Sequence, residues 1–351
     1  MNTAPRGVWN YNTCAVPARW LPGLQAQLQC DFVTITVPSF AKINLGLRIG
    51  PARADGFHDL RTIYQTIALH DVVSLSVQRG TGIVIRCEDP RVPADSTNTC
   101  FKIIERAMQA LKVRGRIVIE IEKRLPVQGG LGGASGNAVA ALLALERALG
   151  KKLPAAERLR IAAEVGSDIP LFLMGGTVLG VGRGEEVYPL ADLPPTACVI
   201  ALPDVAISTP KAFADWDERA KLTASTQSDR MLEFSREISA WLNAAQIGRR
   251  SGVSAKRGGR AENLLLDLVR TGIENDFERV VFPNYPELRE VKRVLEKAGA
   301  KYASLSGSGS AIYGLFDSQQ KAATAAKRLI KQGTRALVTS TLTRQQYWKK
   351  L

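Results

Sequence analysis

Apolar and polar residues alternate over Phe32-Val33-Thr34-Ile35-Thr36-Val37, a β-branched run that predicts a strand ended by Pro38. A second strand is expected over 41–49, then a loop at 50–56 where Gly50-Pro51 and Ala54-Asp55-Gly56 break the pattern. Residues 72–77 and 82–87 read as further short strands. Ile103, Ile104, Ala107, Met108 and Leu111 follow the helical period and predict a helix over 100–111. Over 115–122 the pattern is again that of a strand, with Ile117, Ile119 and Ile121 on one face. A glycine-rich loop follows at 125–137, then a strong helix over 138–149 that Gly150 stops. A helix is expected over 155–165, a turn at 166–170, and strand in the apolar stretch 171–187. Pro194-Pro195 marks a domain boundary, separating 32–194 from 195–351. Beyond it the pattern predicts a strand over 197–202, helices over 229–244, 261–272 and 286–298, and a strand-loop-strand at 302–316. Residues 1–31 show neither period and read as an extension, loosely docked or disordered. Strands and helices mix without strict alternation, so the expected class is α+β in two domains, with no internal repeat.

Composition narrows the class. With 351 residues, 45% hydrophobic and 23% charged, the chain is globular rather than disordered, collagenous or a disulfide-dense miniprotein. Its net charge of +14 is uneven, since residues 318–351 carry Lys321, Lys327, Arg328, Lys331, Arg335, Arg344, Lys349 and Lys350 and no acid. A second cluster, Arg249, Arg250, Lys256, Arg257 and Arg260, lies in a Gly/Ser-rich stretch. A solvated helix face plus a basic loop accounts for both, and the alternative is a field that attracts acidic substrates or polyanions. Cys14, Cys30, Cys87, Cys100 and Cys198 form no CxxC pair, and only His58 and His70 are available to join them in a metal site. Reduced thiols in a cytoplasmic protein fit best. Leu125 to Leu145 is uncharged, yet its first half is Gly, Gln, Ser and Asn, which excludes a lipid-facing span. No apolar signal segment opens the chain.

Five segments carry candidate chemistry. Gly129-Gly130-Leu131-Gly132-Gly133-Ala134-Ser135-Gly136 precedes a strong helix. Glycine lets the backbone approach an anion closely, and the helix points its free N–H groups back at the loop. A phosphate chain fits there, with the Ser135 hydroxyl able to reach a phosphate or a magnesium ion. The spacing is neither a P-loop nor a dinucleotide turn. Lys42 sits in an apolar strand and Asp168 in a turn. Taken singly they read as an edge-strand charge and a helix-cap residue. Together on one substrate hydroxyl they suit phosphoryl transfer, with Asp168 accepting the proton and Lys42 holding it ionised. Phe57 can stack on a flat ring beside His58, which can read a base edge, or the pair forms a plain surface turn. Ser306-Gly307-Ser308-Gly309-Ser310 is a second small-residue loop, placed to bring amides near an anion or merely to turn a hairpin.

In order along the chain, Pro38-Ser-Phe-Ala-Lys42-Ile-Asn44-Leu, Pro126-Val-Gln-Gly-Gly-Leu-Gly-Gly-Ala-Ser135-Gly-Asn137-Ala and Leu305-Ser-Gly-Ser-Gly-Ser-Ala311 resemble the three motifs of the GHMP kinase superfamily. AKINLGL with RADGFHDLRT, and GSDIP with FLMGG, look like the family of 4-diphosphocytidyl-2-C-methyl-D-erythritol kinases, a likeness covering about residues 36–317. The resemblance implies a ribosomal protein S5 domain 2-like first domain and a ferredoxin-like second one, with the active site in the cleft between them. It implies ATP-dependent phosphorylation, with Mg2+, of the substrate's 2-hydroxyl in the non-mevalonate isoprenoid pathway. It assigns Lys42 and Asp168 to catalysis. ATP falls to Pro126, Val127, Gln128, Gly129, Gly130, Leu131, Gly132, Gly133, Ala134, Ser135 and Gly136. Asn44, Phe57 and His58 fall to the substrate. No dedicated protein metal site is implied beyond a magnesium contact at Ser135. The expected partner is the cytidine diphosphate-linked substrate, with neither nucleic acid nor membrane, in a monomer or homodimer. The chain departs from the family's glycine loop at Gln128, Ala134 and Gly136, the last standing where a second Ser hydroxyl is usual. Phe57 stands where a Tyr is common. Alternatives are a homoserine- or mevalonate-type kinase of the superfamily, which needs no base-reading pair, and a non-catalytic RNA-binding protein of the same fold, whose RNA affinity would fall steeply with salt.

Overall fold

A computed structural model describes residues 33–222, 227–250 and 273–351, with the side chains of 222, 227–228 and 244–250 excluded. The expected extension 1–31, the helix expected over 261–272 and most of the basic stretch 246–260 lie outside the described residues.

The first sheet is built on two long antiparallel strands, β1 (Thr34–Ala52) and β2 (His58–Gln78). Pro38 does not end β1 as expected; it pairs with Val72 within one continuous strand. Around Pro38, among the described residues, β1 has a ladder partner on one side only, and an edge there tolerates the missing N–H. β1 also runs on to Ala52, into the loop expected at 50–56, and β2 already begins at His58, so 72–77 is only its far end. The sheet order is β3 (Gly82–Cys87), β4 (Arg116–Glu122), β2, β5 (Thr177–Val181), β6 (Glu186–Pro189), with β1 alongside β2. Only β3–β4 is parallel among these pairs.

On this sheet pack α1 (Thr99–Leu111), α2 (Gly133–Leu149), α3 (Ala155–Val165) and α4 (Ile169–Met174). α1 is capped by the Asn98 side chain, which accepts from the Cys100 N–H. α2 is buried on every face from Gly136 to Glu146, as its unbroken apolar run requires. It starts at Gly133, inside the expected loop. The expected strand 171–187 is instead the end of α4, then β5 and β6; Pro170 sits in the first turn of α4, where its missing N–H costs nothing.

The second sheet is antiparallel, in the order β10 (Arg335–Ser340), β7 (Ala197–Leu202), β9 (Ile312–Phe316), β8 (Tyr302–Leu305). Around it lie α5 (Thr209–Leu222), α6 (Gln227–Arg250), α7 (Glu278–Asn284), α8 (Pro286–Lys297) and α9 (Gln319–Lys331). α8 buries Leu288, Val291, Val294 and Leu295 at helical spacing. The chain beyond Asp31 is one compact unit. Its two halves meet along β1: Leu47 N–H donates to Glu274 O and Asp276 N–H to Leu47 O, both at 2.9 Å. The Tyr313 and Tyr302 hydroxyls donate to the Asn44 and Leu45 carbonyls at 2.8 and 2.9 Å. α10 (Arg344–Lys350) folds back on the first half, where the Tyr347 hydroxyl donates to Phe172 O at 2.7 Å and buttresses α4.

Candidate functional site

Lys42 is buried on β1, not set at a solvated edge. Its ammonium donates to Asn44 Oδ1 at 2.7 Å and lies 3.2 Å from Asp168 Oδ2. Asp168 holds the N-cap position of α4 but makes no capping bond. Its other oxygen, Oδ1, accepts from the Tyr64 hydroxyl at 2.9 Å. Asp168 keeps 34% of its side chain exposed against 4% for Lys42, so the carboxylate is the member open to a ligand. Tyr64 lies under this pair, with Lys42 Nζ 5.6 Å from its ring centre. Gly180 and Gly184 make room for it: a Cβ on either would fall 2.5 Å from a Tyr64 atom. Asn44 donates to Thr62 Oγ1 at 2.8 Å, so its amide holds Lys42 from one side while still lining the cleft.

That cleft, about 650 Å³, also takes in Phe57, His58, Arg183, Phe213 and Asp217. His58 is buried, stacked on Phe213 at 4.9 Å between ring centres, and its Nε2 lies 2.8 Å from Asp217 Oδ1. A carboxylate only accepts, so Nε2 carries a proton, which in the neutral ring leaves Nδ1 as an acceptor. The ring packed on His58 is thus Phe213 of α5. Phe57, expected to stack on a flat ring of the ligand, lines the same cleft, is 49% exposed and lies under the Arg183 guanidinium at 4.9 Å.

A second hollow of about 350 Å³ is lined by residues 126–135 with Asn137, Lys123, Asn98 and Thr99, and shares Gly130 and Gly132 with the first. Gly132, the N-cap of α2, offers no side-chain cap, and the first helical bond runs from Gly136 N–H to Gly132 O. The N–H groups of Gly133, Ala134 and Ser135 therefore have no helical acceptor and face an anion-binding end. Lys123 adds charge beside it: a Cβ on Gly133 would lie 3.3 Å from its ammonium. Lys123 is itself paired with buried Asp71, whose Oδ1 accepts from the Arg124 and Leu125 N–H groups at 2.7 and 2.8 Å. Gly136 faces the other way, its Cβ position lying 2.7 Å from Phe40 O and 2.8 Å from Ser39 Oγ. A hydroxyl there would not face the hollow. Gln128 takes φ of 63°, a left-handed conformation where glycine is the ordinary choice.

All three motifs touch. Lys42 N–H donates to Leu131 O at 3.0 Å, Ser306 Oγ donates to Gly130 O at 3.0 Å, and Ala311 N–H reaches Gly129 O at 3.2 Å. The Ser306 loop is thus a brace behind the glycine loop. Asn275 ties it down by donating to Leu305 O and Gly307 O at 2.9 and 2.8 Å. Sequence reasoning missed Tyr64, Asp71, Lys123, Arg183, Phe213, Asp217 and Asn275. Phe213 and Asp217 share a face of α5 at a spacing of four, and Arg183 stands between two glycines; Tyr64 and Asn275 gave no local signal. Among the described residues no group of three or more His, Cys, Asp and Glu is placed to hold a metal ion.

The sequence matches the GHMP kinases N terminal domain over residues 98–176 and the GHMP kinases C terminal domain over 258–335. A 4-diphosphocytidyl-2-C-methyl-D-erythritol kinase of Solibacter usitatus is 38% identical over 278 residues, covering 79% of this chain and 80% of that protein. One from Acaryochloris marina is 34% identical, covering 84% and 91%. Among solved structures, a 4-(cytidine 5'-diphospho)-2C-methyl-D-erythritol kinase superposes with TM-score 0.65 at 27% identity, over 88% of this chain and 99% of that one. A homoserine kinase from Cytophaga hutchinsonii superposes at TM-score 0.68 and 23% identity, a likeness of fold alone. Both domain matches, together with identity of 38% across most of a curated relative, establish that this chain belongs to the GHMP kinases, ATP-dependent kinases of small molecules.

Proposed function

We propose that the chain transfers the γ-phosphoryl group of ATP to the 2-hydroxyl of 4-diphosphocytidyl-2-C-methyl-D-erythritol, in the non-mevalonate route to isoprenoid precursors. The observation that carries this reading is one cleft with two unlike ends: Lys42, Asp168 and Tyr64 at one, His58, Phe213 and Asp217 at the other. The first end suits proton removal from an alcohol. Asp168 accepts the proton; Lys42 and Tyr64 fix both carboxylate oxygens, so its orientation is set before substrate arrives. The second end suits a nucleobase, since the His58 Nδ1 acceptor complements an exocyclic amino group. A homoserine or mevalonate acceptor would leave it idle. The curated relatives named for the diphosphocytidyl substrate support the same choice.

ATP fits the adjoining hollow, where residues 126–135 include the uncapped α2 amides and Lys123 stands beside them. Magnesium, when bound, neutralises charge on the β- and γ-phosphate oxygens. The donors present fit an ion held mainly by the nucleotide: the Ser135 hydroxyl lines the hollow. Gly130 and Gly132, shared by both hollows, put the nucleotide end beside the acceptor end. No helix among the described residues is long and apolar enough to cross a membrane, and Cys87, Cys100 and Cys198 are free thiols. We place the enzyme in the cytoplasm, acting without nucleic acid as a monomer or homodimer.

The test is incubation of purified protein with labelled ATP, Mg2+ and a panel of alcohols. The diphosphocytidyl methylerythritol should take the label. Labelling of homoserine or mevalonate in its place would overturn the assignment.

A further inference from the structure

We propose that Arg183 binds the diphosphate of the substrate and makes the cleft select nucleoside diphosphate-linked alcohols over the nucleoside alone. This rests on the nucleotide-bearing substrate proposed above. Arg183 lies in the β5–β6 turn, between Gly182 and Gly184, whose φ angles of 68° and 100° keep the turn tight whatever residue stands at 183. Its guanidinium sits over Phe57 at 4.9 Å, at the base end of the cleft. The next residue, Gly184, abuts the Tyr64 hydroxyl that holds Asp168, at the reacting end. Arg183 therefore belongs to both ends. In a nucleoside linked to an alcohol by a diphosphate, the diphosphate occupies the corresponding middle position.

Charge points the same way. The charged side chains lining the cleft are Lys42, Arg183, Asp168 and Asp217, whose formal charges cancel. Lys42 is already engaged by Asp168 and Asn44. Arg183 is only partly engaged: Glu185 accepts from its Nε at 3.1 Å, and among the described residues its two terminal nitrogens have no hydrogen-bond partner. Its side chain is 29% exposed. A guanidinium held at Nε, braced on an aromatic face and open at its terminal N–H groups is arranged for bidentate contact with phosphate oxygens.

The experiment measures binding of CDP and of cytidine, without ATP, to the wild type, Arg183→Ala, Arg183→Gln and Arg183→Lys. Wild type should prefer CDP. Arg183→Ala and Arg183→Gln should weaken CDP by about 10- to 100-fold, the worth of hydrogen bonds to a charged group. Cytidine affinity should not change, which also shows that the cleft is folded. Arg183→Lys should fall between, because the charge remains and the fork is lost. An unchanged CDP-to-cytidine ratio in the variants, an equal loss of both ligands, or a wild type without CDP preference overturns the proposal while leaving the base-reading cleft standing. A wild type that binds neither ligand overturns the base-reading cleft as well.

Discussion

The Tyr64 hydroxyl donates to Asp168 Oδ1 at 2.9 Å while the Lys42 ammonium stands 3.2 Å from Oδ2, so each oxygen of one carboxylate has its own holder. Burial first, and then the Asp168 charge, pushes the Tyr64 phenol well above its ordinary value of 10.0, so it stays a donor across the working pH range. Tyr64→Phe keeps the ring between Gly180 and Gly184 and removes only that donor. Turnover should fall about 10- to 100-fold, the cost of one hydrogen bond to a charged group, with KM for ATP unchanged. A KM effect without a kcat effect would assign Tyr64 to binding instead.

Asp168→Ala should lower kcat by at least ~100-fold, the low end for a positioned base. Lys42→Ala should be comparably severe, because it leaves Asn44 Oδ1 and Asp168 Oδ2 without their shared donor. Steady-state kinetics with ATP varied tests both. Near-normal turnover in the first variant removes Asp168 from the chemistry; a change confined to KM for ATP in the second moves Lys42 to the nucleotide.

What the sequence made legible was whatever short-range pattern controls. Helical spacing placed α1, α3 and α8, alternation placed β4, short apolar runs placed β3 and β7, and the glycine run before an apolar helix marked the uncapped start of α2. Pattern failed where tertiary contact decides. Pro38 looked like a terminator because a sequence does not show which strand edge lacks a ladder partner. Ile169–Met174 is as apolar as a strand, yet Tyr347, far along the chain, packs on it as a helix. Lys42 and Asp168 were each recognisable, but their meeting depends on Tyr64, whose hydroxyl nothing nearby in sequence identifies. The His58 end of the cleft was half legible: His58 stood out as a rare residue, while its partners Phe213 and Asp217 come from α5, more than a hundred residues away.

Buried thiols and phenols set the alkaline limit of stability. Burial raises the Cys100 thiol from 9.0 to about 12, and raises Cys198, Tyr302, Tyr313 and Tyr347 as well. These folded-state values exceed the unfolded ones, so the contribution is complete below about pH 9 for the thiols and is lost as pH rises toward the folded values. Denaturant melts should show stability falling from about pH 9 upward, by up to about 1.4 kcal/mol per pH unit for each group that ionises only on unfolding. At about pH 8 a thiol-specific reagent should leave Cys100 and Cys198 unlabelled in native protein and label both after denaturation. Labelling of native Cys100 at a free-thiol rate would contradict the burial.

Gly136 separates packing from nucleotide binding. The family resemblance suggests a lost phosphate contact at this position, whereas the structure turns the missing side chain toward Phe40 O and Ser39 Oγ, at 2.7 and 2.8 Å. Both are closer than a Cβ tolerates, and one is backbone of a buried strand, so Gly136→Ala should destabilise by about 1–3 kcal/mol through overpacking. KM for ATP should not move, because the free amides at the hollow belong to Gly133, Ala134 and Ser135, whereas the Gly136 N–H is already bonded to Gly132 O. Ser39 gives an independent handle: its hydroxyl is buried without a hydrogen-bond partner among the described residues. Ser39→Ala should therefore be neutral or stabilising by about 1 kcal/mol, and should recover part of the Gly136→Ala loss when the two are combined. Thermal melts of the single and double variants, read beside ATP kinetics, decide the matter: a raised KM for ATP with unchanged stability in Gly136→Ala would return position 136 to the nucleotide.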